Sequence, residues 1–205
     1  MALKARIQPL FATPLIIANL DDEELRSSLE TSILAKRSED PGVQRSNVGG
    51  WHSDLRIREW GGDAAKKLID EAVALANAHT ARPAGAGDAQ FSWRAEGWAN
   101  VNESGAVNMR HVHGACYWSA VYYVRVDEGT GGELVLHDLR MPTLAMHAPS
   151  LRFKGVGPER EALIKPEVGA LILFPAWLPH EVRAWRGDGM RISVAINISA
   201  IARVS

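Results

Sequence analysis

Residues 191–199 read RISVAINIS, an alternation that only a strand with two unlike faces satisfies. Ile192, Val194, Ile196 and Ile198 make one face; Arg191, Ser193, Ala195 and Asn197 make the other. The isoleucine face is expected to pack under helices and the polar face to look into the space inside a sandwich. An arginine aimed into such an interior is costly unless an anion answers it. A bound carboxylate would answer it, because the planar guanidinium fork donates to both carboxylate oxygens. The alternative is a surface Arg191 at a hairpin mouth, paired with Glu181 or Asp188.

The rest of the chain supplies the layers. From Phe91 onward, FSWRAEGWANVN, YWSAVYYVRV, GELVLHD, GALILFP and RISVAINIS are rich in β-branched and aromatic residues, with Gly-rich turns such as EGTGG and GDG among them. Two earlier segments read as helices. Residues 21–39 begin with acids, end near Lys36 and Arg37, and carry Leu25, Leu29, Ile33 and Leu34 at helical spacing. Residues 62–82 repeat the pattern with Leu68, Ile69, Val73 and Leu75. TPLIIANL reads as a first strand. This predicts an α+β fold in one domain over 1–205, with a helical N-terminal part (1–90) and a β core (91–205), the helices covering one sheet of an antiparallel sandwich or barrel.

Several function classes recede. A net charge of −1 and no basic face argue against nucleic acid. No apolar stretch reaches the ~20 residues of a membrane helix. Pro9 and Pro14 interrupt the N-terminal apolar run, so no signal peptide is expected. Cys116 is the only cysteine, which suits a reducing, cytoplasmic setting. There is no glycine-rich phosphate loop. A homodimer is a compatible assembly.

Two histidines, His111 and His113, stand one residue apart in RHVHG. On a strand they project from the same face, as two adjacent metal ligands would. Two hydrogen-bonded or exposed histidines are the plainer alternative. A third candidate ligand is His180, after the strand ALILF. If a hairpin turns at Gly187-Asp188, residues 180, 182 and 184 share a face with 191, 193 and 195. His180 and Arg191 then view one cavity about four residues apart, roughly 13 Å along the strands. A small dicarboxylate could bridge a metal at His180 and the Arg191 guanidinium.

These residues resemble the iron- and 2-oxoglutarate-dependent oxygenases, and more narrowly those sharing the prolyl-hydroxylase-like double-stranded β-helix, or jelly roll. The resemblance runs through SNVGGW, WANVNESG, HVH followed by SAVYYV, GGELVLHD, FPAWLPHEV and RISVAINI. The spacing Asn100, Gly105, His111 is also similar to that of the alkylation-repair dioxygenases. The resemblance implies Fe(II) on His111 and His180, 2-oxoglutarate as cosubstrate with its distal carboxylate on Arg191 and Ser193, and O2 as oxidant. Asn100 and Asn102, on one face with Trp98, sit on the strand that contributes cosubstrate contacts; Tyr122 or Tyr123 could add a phenol. The residue two after the first histidine is an acid in most of the superfamily. Here it is His113, expected to remain a ligand in a three-histidine site of neutral ligand charge. The implied activity is hydroxylation of a small-molecule or protein substrate.

Two rivals keep the fold and drop the reaction: a cupin-type metalloprotein, and a binding module without turnover. Cupins usually add a glutamate soon after His-x-His, and residues 114–120 (GACYWSA) have none. His52 is either near the substrate entrance or an exposed loop histidine. Trp51 and Trp177 could line the mouth or fill the core. At most one of His137 and Asp138 looks inward, His79 and His147 read as surface residues, and Cys116 as a small buried filler.

Overall fold

The structure is a computed structural model that describes residues 6–81, 91–140, 154–155 and 160–202. Two antiparallel sheets face each other. The larger runs in the order β1 (Ile16–Asn19), β10 (Ala170–Pro175), β6 (Trp118–Val126), β13 (Arg191–Ala202), β4 (Phe91–Asn102), β3 (Trp51–His52). The smaller runs β2 (Asn47–Val48), β5 (Val107–His111), β11 (His180–Val182), β8 (Leu134–His137), β9 (Glu161–Ile164). A short ribbon pairs β7 (Thr130–Gly131) with β12 (Trp185–Arg186). This is the jelly-roll core of an α+β fold.

The helices cover the outer face of the large sheet. α1 (Glu23–Glu39) is capped by Asp22, whose carboxylate accepts from the Leu25 N–H at 2.9 Å. It buries Leu25, Leu29 and Ile33, with Leu34 half-buried. After a single turn, α2 (Ile57–Trp60), comes α3 (Gly62–Ala78), which ends at His79, short of the predicted residue 82. Its buried face is Ala65, Leu68, Ile69, Ala72 and Ala76, with Val73 and Leu75 only partly covered. Under both helices lie Ile192, Val194, Ile196 and Ile198, as the alternation required. Each such side chain contributes about 1.5–3 kcal/mol of burial. The opposite face of β13 therefore cannot turn outward without exposing four aliphatic side chains, so Arg191 is held inside. The N-terminal third also supplies strands to both sheets: β1 joins β10, β3 joins β4 and β2 joins β5.

One expectation fails. No hairpin at Gly187-Asp188 joins β11 to β13. β11 lies between β5 and β8 in the small sheet, and β13 lies between β4 and β6 in the large one. The chain crosses between the sheets after residue 182. Trp185, 2% exposed, anchors the crossing while β12 pairs with β7. Gly132, at φ +69°, makes room there: a Cβ would lie 3.1 Å from the Trp185 ring and 3.2 Å from Arg191 Cδ. His180 and Arg191 thus share a cavity because the sheets face each other across it.

Candidate functional site

The cavity between the sheets is lined by groups from both. His111 ends β5 and stands directly opposite His180, the first residue of β11. Their ring centres are 4.3 Å apart. His113 lies just past the strand end, where its N–H donates to the Ala176 carbonyl at 3.0 Å and Ala115 takes a left-handed φ of +63°. Its ring is 4.8 Å from His111 and 5.0 Å from His180. One nitrogen from each of the three lies within 4.8 Å of the others. His111 and His113 lie on either side of the exposed Val112, the alternation that the sequence suggested, and the turn at Ala115 follows them.

The tautomers follow from the carbonyls. Nδ1 of His111 lies 2.6 Å from the Met109 carbonyl, and Nδ1 of His180 lies 2.9 Å from that of Leu178. A carbonyl only accepts, so each Nδ1 carries the proton and Nε2 keeps a lone pair for a metal. Burial, with the neighbouring His111 second, pushes His113 down to about 4 and His180 down to about 3; burial also lowers His111. Three neutral imidazoles in a triangle, held by outer hydrogen bonds, fit a divalent transition metal.

This has a measurable consequence. Three ordinary histidines, at pKa ≈ 6.5, would lose on the order of a thousandfold in metal affinity between pH 7.5 and 5.5, because protons compete for each ring. Here the depressed values keep His113 and His180 unprotonated across that window, and burial lowers His111 in the same direction. Metal uptake measured at pH 5.5 should stay within about tenfold of that at pH 7.5.

At the far end of the cavity sits Arg191, 1% exposed. One terminal nitrogen donates to Asn102 Oδ1 at 2.8 Å, the other reaches Ser193 Oγ at 3.4 Å, and Nε–H has no partner among the described residues. The Tyr123 ring lies 5.8 Å from the guanidinium carbon, and its buried hydroxyl is also unpartnered. Tyr123 is therefore the inward tyrosine; Tyr122 donates to the Leu20 carbonyl on the helix side. Asn100 lines the cavity beside Ser193, with its Oδ1 unsatisfied. The lining described here contains no aspartate or glutamate. Neither Glu181 nor Asp188 pairs with Arg191; among the described residues its side-chain partners, Asn102 and Ser193, are neutral. A buried cation with unspent donors, a phenol and no carboxylate fits the distal end of a dicarboxylate.

His52, offered by the sequence as an entrance or exposed loop residue, is buried. It stacks on Trp98 with ring centres 5.4 Å apart and planes at 13°, and its Nδ1 lies 2.6 Å from the Ser53 carbonyl. Trp98 in turn sets its edge against His113 at 5.6 Å. The missed signal was β3–β4 pairing, which places His52 opposite Asn100. Trp51 belongs to the core and donates to the Asp40 carbonyl, whereas Trp177 is 51% exposed. His137 meets Glu181 at 3.5 Å and neither it nor Asp138 lines the cavity. His79 is exposed, Cys116 is half-buried beside Ser199, and His147 lies outside the described residues.

A jelly roll with a three-imidazole corner at one end of its interior and an unanswered guanidinium at the other defines a non-haem metal and oxoacid protein. Comparison with known proteins narrows this. Residues 96–197 match the family described as "Putative 2OG-Fe(II) oxygenase". No curated protein matches the sequence. Among solved structures, the chain is similar to a Pseudomonas putida prolyl-4-hydroxylase, with TM-score 0.62, 17% identity and 94% of each chain covered. It is also similar to a Trichoplax adhaerens prolyl hydroxylase solved with a hypoxia inducible factor peptide, with TM-score 0.63, 16% identity and 90% and 83% covered. A third is HygX from Streptomyces hygroscopicus with nickel and 2-oxoglutarate bound, with TM-score 0.59, 13% identity and 91% and 83% covered. The chain belongs to the 2OG-Fe(II) oxygenase family: it is an Fe(II)- and 2-oxoglutarate-dependent oxygenase.

Proposed function

We propose that His111, His113 and His180 hold Fe(II), that Arg191 and Ser193 hold the distal carboxylate of 2-oxoglutarate, and that the enzyme hydroxylates a peptide or a small molecule. The observation that carries this is Arg191. It is buried, shares one cavity with the triad, and has no carboxylate partner among the described residues. Asn102 fixes the guanidinium from behind, leaving Nε–H and the remaining fork for the cosubstrate. The Tyr123 hydroxyl adds a donor at the same end. Asn100, between Arg191 and the triad, is placed to contact the cosubstrate along its length.

When bound, the iron supplies the redox chemistry that splits O2, one oxygen atom entering succinate as CO2 leaves and the other entering a substrate C–H bond. The chain supplies position and dryness. Phe174 sets its edge 4.9 Å from His180, and Trp98 closes over His113. A water-poor pocket of this kind strengthens the Arg191–carboxylate attraction well beyond its value in solvent. The free thiol of Cys116 supports a reducing compartment, and we assign the enzyme to the cytoplasm.

The test is succinate formation from 2-oxoglutarate with Fe(II) and ascorbate, alongside calorimetry of 2-oxoglutarate on the metal-loaded protein. Uptake of metal without any cosubstrate binding would refute the assignment of Arg191 and favour the cupin-type reading.

A further inference from the structure

The polar face of β13 continues past the triad, away from Arg191. In register, Trp98, Ala195 and Val121 form one row across β4, β13 and β6. The next row is Glu96, Asn197 and Ser119, with neighbouring strands ~4.8 Å apart and the rows ~6.6 Å apart. Beyond it exposure rises along β13, so this row stands where the cavity opens. Ser119 and Asn197 are both buried and line the cavity. Ser119 Oγ donates to Asn197 Oδ1 at 3.1 Å, which turns the Asn197 Nδ2 hydrogens away from the serine. These hydrogens and the indole N–H of Trp98 have no partner among the described residues. Glu96, half-buried, has no ion pair and its carboxylate accepts no hydrogen bond among the described residues. Arg94, one row further out, is exposed.

An unspent donor and an unspent carboxylate thus lie side by side at the open end. We propose that Asn197, oriented by Ser119, and Glu96 recognise the substrate, and that the group they take is an amide. Its carbonyl oxygen accepts from Asn197 Nδ2–H while its N–H donates to the Glu96 carboxylate. A carboxylate in the same place would satisfy Asn197 but meet Glu96 as a like charge. An ammonium would satisfy Glu96 and leave the Asn197 donors without a protein or ligand partner. Only a group with an acceptor oxygen next to a nitrogen donor satisfies both. This inference rests on the oxygenase reading, since it concerns what lies at the open side of the triad.

The test uses the full chain loaded with Co(II) and saturating 2-oxoglutarate, a pairing in which the paramagnetic metal reports proximity. The probes are acetamide, acetate and ethylammonium at equal concentration. Broadening of each methyl proton line is read against the Zn(II)-loaded protein. Acetamide should broaden at least about fivefold more than either ion, the size expected for one or two hydrogen bonds. Asn197→Ala and Glu96→Ala should each remove most of that excess while changing 2-oxoglutarate affinity by no more than about twofold. Glu96→Gln keeps an acceptor oxygen and loses the charge, so acetamide broadening should persist and that of acetate should rise. Equal broadening of the three probes, or an acetamide excess that survives both alanine variants, overturns the amide assignment alone. A chain that takes up no Co(II) or no 2-oxoglutarate overturns it together with the functional reading beneath it.

Discussion

Arg191→Met should abolish measurable 2-oxoglutarate binding while leaving the cosubstrate-free protein more stable. Removing one member of a buried, hydrogen-bonded charge pair costs about 2–5 kcal/mol, a loss of roughly 30- to 5,000-fold in affinity. The stability effect has the opposite sign. In the cosubstrate-free protein the guanidinium is buried against Asn102 and Ser193 without an anion, and burial depresses its pKa. Replacing such a charge with an apolar side chain of similar length stabilises by about 1–4 kcal/mol. Loss of the Asn102 hydrogen bond offsets part of that gain. A rise in Tm of a few degrees, with calorimetric silence toward 2-oxoglutarate, is the expected pair of results. Unchanged affinity would remove Arg191 from the cosubstrate site. Lost affinity with a lower Tm would make the residue structural.

The second large effect is at the metal end. His180→Ala should lower metal affinity by at least on the order of a hundredfold, since even outer partners of metal ligands are worth 10- to 100-fold. Succinate formation should fall to background. The ring is neutral near pH 7, so its loss removes one hydrogen bond to Leu178 and the Phe174 contact without freeing a charge. The variant should therefore fold. The diagnostic measurement is thermal: metal at a hundredfold excess over its Kd raises wild-type stability by about 2.7 kcal/mol, and should leave His180→Ala almost unmoved. His79→Ala, on an exposed ring, is the control. A full metal-dependent Tm shift in His180→Ala would place the ion elsewhere. His113→Asp tests the third ligand differently. A carboxylate favours harder cations, so the variant should gain affinity for Mn(II) relative to Ni(II) or Zn(II), read by competition.

What could be read from the chain depended on how local the cause was. The alternation of residues 191–199 is a property of nine consecutive residues; it put Ile192, Val194, Ile196 and Ile198 under helices, and together with the histidine pair it favoured Arg191 inside over a surface pairing. Helix α1 was legible for the same reason, down to its acidic start and basic end. The turn at Gly187-Asp188 misled because a glycine-rich turn does not say which strand its neighbours pair with. That choice was made by Trp185, which buries against Gly132 from a distant part of the chain. Tyr122 and Tyr123 were indistinguishable because β6 carries an irregularity against β13 between Ile192 and Ser193, and strand phase beyond such a point is fixed only by the partner. His52 looked like a loop residue because β3 is two residues long and exists only by pairing with β4.

The order of strands in the large sheet has a consequence for how the enzyme comes into being. One of its two central positions belongs to β13, the last of the described strands, which joins β6 on one side to β4 on the other. During synthesis those two halves lack the strand that joins them, and the undersides of α1 and α3, which also meet β4, β6 and β10, stay partly uncovered until residues after 190 leave the ribosome. A chain halted before β13 is therefore expected to leave the large sheet split and part of its apolar face open. The same final segment delivers Arg191, so the molecule gains its cosubstrate anchor and its closed sheet in one event.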